Sequence, residues 1–180
     1  MENGIQNQNH SIAKFEKVSF DQYERDFQKN YPYKNYTPEQ IHAIYDRIQL
    51  PTRATRGSAG YDFHAPEGFE LMPHGYTTIP TGIRCKMNQG WVLLCVPRSG
   101  SGFRYGIRLM NTVGVIDSDY YFAGNEGHIM VKLHNSSPEE NVWRVEAGDG
   151  IMQGIFLPFG TIENETVTKE RQGGFGSTGN

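Results

Sequence analysis

The chain has 180 residues and a formal net charge of −3, with an isoelectric point of about 6.1. This length allows one domain with a substantial core and is hardly enough for two. The acidic balance argues against a general nucleic-acid-binding protein, although a local group of arginines can still bind a small anion. Two cysteines and six scattered histidines indicate neither a zinc site nor a disulfide framework. With no apolar run of membrane-spanning length and no signal peptide, we expect a protein of the reducing cytoplasm.

The first 49 residues are predicted to form an N-terminal extension. Residues 1 to about 10 are polar and rich in Asn and Gln, so we expect them to be disordered or loosely attached. A capping box follows, in which Ser19 caps a helix and the side chain of Gln22 reaches back to it. We expect this helix to run to about Lys29. Its core-facing side chains are predicted to be Phe20, Tyr23 and Phe27.

A second helix is predicted from another capping box, which runs from Thr37 to Gln40 with Pro38 at the first helical position. Its apolar face comprises Ile41, Ile44, Tyr45 and Ile48. We expect the two helices to form an annex rather than a separate domain.

Residues 50–170 are predicted to form a β domain. The 21 glycines and ten tyrosines of the chain favour a turn-rich β protein over a helix bundle. Short apolar runs at 75–80, 90–96, 127–133 and 150–157 are separated by turn residues. This pattern predicts a sandwich, a jelly roll or a barrel. Residues 171–180 are rich in glycine, and we expect either a frayed end or a flexible lid that orders on a ligand.

The stretch from Pro97 to Gly102 combines one arginine with two serines and two glycines. Glycines let backbone N–H groups converge, and an arginine adds charge-assisted hydrogen bonds, so the stretch suits a phosphate. Residues 114–120 run from apolar residues into Asp-Ser-Asp-Tyr, which predicts a strand that turns at an acidic hairpin tip. A phosphate cradle followed by a carboxylate indicates hydrolysis of a phosphate ester or anhydride. Taken singly, both stretches are also typical of ordinary turns.

Five stretches stand in a characteristic order, at residues 59–63, 97–101, 114–120, 148–153 and 173–179. The series resembles the five motifs of the homotrimeric dUTPases, and the resemblance extends from about residue 50 to the C-terminus. It implies a distorted jelly roll assembled as a trimer, with active sites between subunits that draw on all three chains. It also implies Mg²⁺-dependent hydrolysis of dUTP to dUMP and pyrophosphate. The N-terminal helices look like the extension of some bacterial and phage members.

The resemblance implies a role for individual residues in the third motif. Asp117 matches the catalytic aspartate, which orients a water and takes its proton as the water attacks the α-phosphorus. Tyr120 matches the tyrosine whose ring lies against the deoxyribose and leaves no room for a 2′-hydroxyl. Asn111 matches the position that meets the uracil edge through its amide. Each has a plainer alternative, as a turn or core residue.

The other motifs are implied to bind the triphosphate and its metal. The phosphate-binding residues are Arg98, Ser99, Gly100 and Gln153. Asp62 matches the carboxylate that binds Mg²⁺ through metal-bound water. Within the last motif, Phe175 is expected to close over the uracil, while Ser177 and Thr178 reach phosphate oxygens. Arg171 is expected to clamp the β/γ end with its planar guanidinium.

The sequence departs from the family pattern at three places. Gly150 stands where the fourth motif usually has an arginine, so a structural salt bridge is expected to be missing. A longer hairpin is predicted at residues 121–127, in place of a short arginine-glycine turn. Arg171 lies one residue closer to the Gly-Gly-Phe than in the common pattern.

Two other functions compete with dUTP hydrolysis. A dCTP deaminase, on a related fold, is expected to carry a catalytic glutamate on the strand after the third motif, where this chain has Lys132. A regulatory or binding module of the phage type is expected to have lost its catalytic residues, whereas Asp117 and Tyr120 are present. The sequence therefore favours hydrolysis, with no nucleic-acid or membrane partner.

Overall fold

A computed structural model of the chain describes residues 11–137, 139, 141–168, 171 and 173. The polar start and the side chains of Phe175, Ser177 and Thr178 lie outside these residues. Among the described residues, no helix is both long and apolar enough to cross a membrane.

Two four-stranded antiparallel sheets make up the body of the protein. The first has the strand order β1 (Ala13–Lys17), β4 (Tyr76–Met87), β8 (Ile129–Asn135) and β6 (Ile107–Leu109). The second has the order β2 (Tyr61–His64), β10 (Gly150–Pro158), β5 (Trp91–Val96) and β7 (Gly114–Ile116). A small third sheet pairs β3 (Phe69–Leu71) with β9 (Trp143–Val145). The predicted all-β fold of the jelly-roll type is confirmed, with the four predicted strands at β4, β5, β8 and β10.

One apolar core joins both large sheets. Alternate residues of β8 are buried, and they include Ile129, Val131 and Leu133. They belong to the same buried cluster as Phe63 and Leu93 of the second sheet. This period of two is what places one side of a strand in the core and leaves the other free to line a site.

The N-terminal extension contains a strand that the sequence analysis missed. Strand β1 pairs with β4 from Ala13↔Met87 to Lys17↔Ile83 and thereby covers the edge of that strand. Its Phe15 ring meets the Phe63 ring edge-on at 5.5 Å between centroids. Alternation of Ala13 and Phe15 with Lys14 and Glu16 was the available signal, but it spans too few residues to identify a strand. The predicted boundary near residue 50 remains a prediction, since helices and sheets share one core.

Helix α1 (Phe20–Asn30) begins as predicted at Ser19, whose hydroxyl accepts a hydrogen bond from the Gln22 N–H. The predicted capping box is wrong, however, because the Gln22 side chain bonds to Asp26 instead of reaching back. The backbone N–H of Ser19 donates at 2.8 Å to Glu126, a residue distant in sequence. A tertiary contact has therefore replaced the local one.

Helix α2 (Pro38–Asp46) confirms the second capping box. The Thr37 hydroxyl accepts from the Gln40 N–H, and the Gln40 side chain accepts from the Thr37 N–H at 2.9 Å. The predicted apolar face is buried at Ile41, Ile44 and Ile48. Helix α1 packs on strand β4 and on α2, so the annex lies against the first sheet.

Glu16 of β1 lies in a cluster of charged and phenolic groups. Hydrogen bonds from Lys14 and from the Tyr121 hydroxyl lower the pKa of Glu16 to about 2, and Arg84 lies 3.5 Å away. An unfolded glutamate titrates near 4.5. Because the folded pKa is the lower one, this group stabilises the fold above the unfolded pKa, and the contribution is lost as the pH falls towards 2.

We predict that Glu16→Gln lowers the free energy of unfolding by about 1 kcal/mol at pH 7, and by less at pH 3. Urea unfolding at both pH values measures the difference. Glu24→Gln is the matched control, because Glu24 makes no side-chain hydrogen bond within the described part of the chain. An equal loss at both pH values would contradict the assigned ionisation.

Candidate active site

Arg98 is held at the junction of three of the predicted motifs. The glycine-rich stretch forms a short helix, α3 (Ser99–Tyr105), and Arg98 stands immediately before it. Its guanidinium Nε lies 3.0 Å from Asp62 Oδ1, and Nη1 donates to the Gly150 carbonyl at 3.2 Å. A Cβ atom at Gly150 would lie 2.5 Å from Arg98 Nη1. The missing arginine of the fourth motif therefore makes room for the arginine of the second.

Gln153 occupies the same region from strand β10. Its side-chain amide donates to the Pro97 carbonyl at 3.1 Å, which fixes it beside the arginine. A Cβ atom at Gly60 would lie 2.3 Å from the Gln153 side-chain oxygen, so the first motif needs a glycine there. Ser99 and Gly100 form the first turn of α3, and nothing lies within 4 Å of the Gly100 Cβ position. The first, second and fourth motifs thus converge in one chain.

Asp62 is placed where one carboxylate oxygen pairs with Arg98 and the second accepts no hydrogen bond among the described residues. No group of three or more His, Cys, Asp or Glu side chains suited to a metal occurs in the described part of the molecule. A single carboxylate fits Mg²⁺, which keeps several waters and takes phosphates as ligands. It does not fit a metal that requires an all-protein cage.

Asp117 lies at the end of β7, and the predicted hairpin tip beyond it is wrong. The chain instead enters a 3-10 helix (Ser118–Phe122), in which the Tyr120 N–H donates to the Asp117 carbonyl at 3.2 Å. A left-handed turn at Glu126 and Gly127 then leads into β8. A Cβ atom at Gly127 would lie 2.7 Å from the Tyr120 carbonyl, so this close return requires glycine.

Arg171 pairs with the acids of the third motif. Its Nη2 lies 2.5 Å from Asp117 Oδ2, and its Nε lies 2.9 Å from Asp119 Oδ1. The guanidinium carbon is also 5.8 Å from the centroid of the Tyr120 ring. Sequence reasoning did not identify Asp119 as a partner of this arginine.

Tyr120 is 5% exposed and is fixed by its hydroxyl. The hydroxyl donates to the His128 carbonyl at 2.7 Å and accepts from the Asn125 side-chain amide at 2.8 Å. Burial raises the pKa of the phenol, so it is neutral near pH 7. The side chain is therefore held in one orientation, as a ring that limits the shape of a ligand must be.

Asn111 follows β6 and lines a cavity of about 410 Å³. The cavity wall includes Gly114 of the third motif, and most of it is apolar. No hydrogen bond engages the Asn111 amide among the described residues, so the amide can both donate to and accept from a ligand. Sequence reasoning missed three other residues of the wall, which are Met110, Met130 and Met152.

The candidate residues form separate groups within one chain. One group surrounds Arg98, a second surrounds Asp117, and Asn111 lines its own cavity. Within the described part of the chain, no hydrogen bond or ion pair connects Arg98 to Asp117. A nucleoside triphosphate that contacts both Arg98 and Asp117 therefore needs these two groups to be brought together.

We predict that Gly150→Ala displaces the Arg98 guanidinium, because a Cβ atom would lie 2.5 Å from its Nη1, with little change in the free energy of unfolding, since the end of a long side chain can move. Binding of inorganic tripolyphosphate, measured by calorimetry, should weaken at least about tenfold, since hydrogen bonds to charged groups contribute about 1.5–3 kcal/mol. The control is Gly160→Ala, at an exposed position with nothing within 4 Å. Unchanged tripolyphosphate binding in Gly150→Ala would show that Arg98 is not part of the phosphate site.

The chain is similar to known proteins in sequence and in fold. A model of the dUTPase family matches residues 46–179. The deoxyuridine 5'-triphosphate nucleotidohydrolase of Lactococcus lactis is 42% identical over 135 residues, covering 73% of this chain and 89% of the relative. The solved dUTPase of Streptococcus mutans has a TM-score of 0.61 at 33% identity, covering 83% of this chain and 98% of that one.

A mutant dUTPase from phage phi11 of S. aureus, described with a structural Mg(II) ion, has a TM-score of 0.59. It covers 88% of this chain and 98% of its own, and its 17% identity shows a likeness of fold alone. The family match spans most of the chain and includes both groups of candidate residues. The chain therefore belongs to the dUTPase family.

Proposed function

We propose that this protein hydrolyses dUTP to dUMP and pyrophosphate, with Asp117 as the group that activates water. The observation that carries the proposal is the pairing of the Asp117 carboxylate with Arg171 beside the Tyr120 ring. A phosphate group can replace a carboxylate on an arginine, because both match the planar guanidinium. A triphosphate that bound Arg171 would therefore free Asp117 next to the phosphorus to be attacked.

The chemistry requires one proton acceptor and one leaving group. Asp117 takes a proton from a water molecule while the oxygen of that water attacks the α-phosphorus. The bond between the α-phosphorus and the oxygen that bridges the α- and β-phosphates breaks. Arg98, Ser99, Gly100 and Gln153 bind the charged phosphates, which makes pyrophosphate a better leaving group. Mg²⁺ is the proposed cofactor, held by Asp62 through water, and it would neutralise phosphate charge.

Recognition of the nucleoside is assigned to Asn111 and Tyr120. The amide of Asn111 is free to pair with the uracil edge at a cavity wide enough for a pyrimidine ring. The fixed Tyr120 ring would exclude a 2′-hydroxyl by contact with the deoxyribose. Closure by Phe175, Ser177 and Thr178 remains a prediction, as does the role of Arg171 as the β/γ clamp. Hydrolysis of dUTP would supply dUMP and keep uracil out of DNA.

We infer a homotrimer in which each active site is shared between subunits. The separation of the Arg98 and Asp117 groups within one chain supports this inference. Apolar side chains beside Asp117 also support it, since Val115 is 59% exposed and Phe122 is 74% exposed. A cytoplasmic location is part of the proposal and is supported by two free, buried cysteines.

The alternative reaction, deamination of dCTP, receives no support from strand β8. Lys132 stands where a glutamate is needed, and its ammonium lies 4.5 Å from the centroid of the Tyr76 ring. A lysine has no carboxylate, so it cannot take the place of that glutamate. A purely regulatory role is not favoured by any observation on these residues.

We predict that Asp117→Asn lowers kcat for dUTP by at least about 100-fold, because an amide cannot accept the proton of water. Pyrophosphate release measures the rate. Asp119→Asn is the comparison, because it removes the same charge and the same arginine partner two residues away. An equal loss in both variants would show that Asp117 acts only by holding Arg171.

A mixture of two inactive variants tests the shared site. Arg98→Ala and Asp117→Asn chains, unfolded and refolded together, should regain activity at about one quarter of the sites if the two groups come from different subunits. Light scattering should give a mass near three times the 20.4 kDa of one chain. A trimer with no recovered activity in the mixture would place both groups in the same subunit.

A further inference from the structure

The N-terminal extension contacts the loop that follows the third motif. Nearly all of the extension precedes the family match, which begins at residue 46. The Glu126 carboxylate accepts hydrogen bonds from the Ser19 backbone at 2.8 Å and from its hydroxyl at 2.6 Å. The Tyr121 hydroxyl donates to Glu16 at 2.6 Å. Two parts of the chain that depart from the family pattern therefore hold each other.

A buried hydrogen-bonded pair of an acid and a histidine lies beneath these surface contacts. His128 is 0% exposed, and its Nδ1 is 2.6 Å from Asp26 Oδ2 of helix α1. The Gly82 N–H donates to His128 Nε2 at 2.8 Å, so the ring proton belongs on Nδ1 and points at Asp26. The Gln22 amide donates to the same carboxylate at 2.8 Å. All three strong bonds of this pair are satisfied inside the protein.

The Asp26 carboxylate is kept charged despite its burial. Burial alone would raise the pKa of Asp26, but hydrogen bonds from His128 and Gln22 outweigh it and hold the pKa below its ordinary value. Gly82 has a φ of +74°, and a Cβ atom there would lie 2.3 Å from the side chain of Ile48, which follows helix α2. The backbone that donates to His128 therefore has a conformation that favours glycine.

His128 also contacts the third motif directly. Its carbonyl oxygen accepts the hydroxyl of Tyr120 at 2.7 Å, and the Asn125 amide bonds to both groups. The Tyr120 N–H in turn bonds to the Asp117 carbonyl. A continuous series of hydrogen bonds thus runs from helix α1, through the side chain and backbone of His128, to Tyr120.

We propose that Asp26 and His128 are positioning residues for nucleotide selection, which act by fixing the Tyr120 ring from the N-terminal extension. The proposal rests on the proposed function, in which that ring excludes a ribose. With the pair broken, the Tyr120 ring gains freedom and tolerates a 2′-hydroxyl. UTP should then be hydrolysed better relative to dUTP. A purely structural role would lower thermal stability and leave this ratio unaltered.

The test measures kcat and KM for dUTP and UTP in Asp26→Asn, which keeps the side-chain shape and removes the charge. We expect the dUTP/UTP ratio of kcat/KM to fall about fivefold or more, within the range found for coupled residues. Asp46→Asn is the control, because Asp46 makes an exposed ion pair with His42 on the same extension. The control should keep the wild-type ratio.

A double-mutant cycle separates positioning from general loosening. In Tyr120→Phe, which lacks the hydroxyl bonded to His128, the added Asp26→Asn change should alter the ratio less than about twofold. The same fall in both backgrounds would overturn the proposal, because Asp26 would then act by another route. An unchanged ratio in folded Asp26→Asn would also overturn it.

Glu126→Gln is the second test if Asp26→Asn does not fold, because it weakens, from a partly exposed position, the contact with Ser19 that holds the start of helix α1, the helix that carries Asp26. A lower dUTP/UTP ratio in folded Glu126→Gln supports the proposal, and a wild-type ratio contradicts it. The wild-type protein separates the two ideas. If the wild-type protein releases no pyrophosphate from dUTP, both the proposed function and the inference fail. If the wild-type protein hydrolyses dUTP and the variants keep its dUTP/UTP ratio of kcat/KM, only the inference fails.

Discussion

The arginine–carboxylate pair is the interaction on which both halves of the candidate site depend. Arg98 pairs with Asp62 in one half, and Arg171 pairs with Asp117 in the other. A guanidinium binds phosphate and carboxylate through the same planar arrangement of donors. Each arginine therefore holds one carboxylate in a fixed position. Each guanidinium is also suited to bind a phosphate oxygen in place of that carboxylate. In the proposed mechanism, substrate binding to Arg171 and activation of Asp117 would be one event.

Two glycines leave space for the side chains around Arg98. Gly150 leaves space for the Arg98 guanidinium, and Gly60 leaves space for the Gln153 side chain. The usual arginine of the fourth motif could not occupy position 150 without displacing Arg98. The proposed phosphate-binding groups thus lie around this glycine, with Arg98 bonded to the Gly150 carbonyl.

The N-terminal extension is joined to the site by a buried pair that has little tolerance for change. A buried carboxylate that loses its hydrogen bonds is costly, because burial disfavours its charge. Asp26 keeps its charge because His128 and Gln22 donate to it, while the Gly82 N–H donates to the other ring nitrogen of His128. The extension therefore does more than cover the edge of strand β4.

Local patterns in the sequence predicted the elements that local interactions determine. The capping box at Thr37 and the alternating strand β8 formed as predicted, because their own side chains supply the necessary contacts. Strand β1 and the 3-10 helix after Asp117 were missed, and Gln22 was assigned the wrong partner. Strand β1 depends on its pairing with β4 up to Met87, and the Ser19 N–H is taken by Glu126, both distant in sequence.

The sequence likewise predicted one part of the candidate site and not the other. Motif order located Asp62, Arg98 and Gln153, and the structure brings them together because strands β2, β5 and β10 are neighbours. The pairing of Arg171 with Asp117 and Asp119 was not predicted, since no spacing rule relates residues so far apart in the chain. The contribution of His128 was equally hidden, because its side chain is buried and its carbonyl makes the contact with Tyr120.

A crystal structure of the protein with Mg²⁺ and a non-hydrolysable dUTP analogue tests the central claim most directly. The account predicts that the phosphates of one bound nucleotide contact Arg98 of one subunit, while the Asp117 carboxylate of another subunit reaches the α-phosphorus through a single water. A nucleotide bound with Asp117 remote from the α-phosphorus in every subunit would contradict the account.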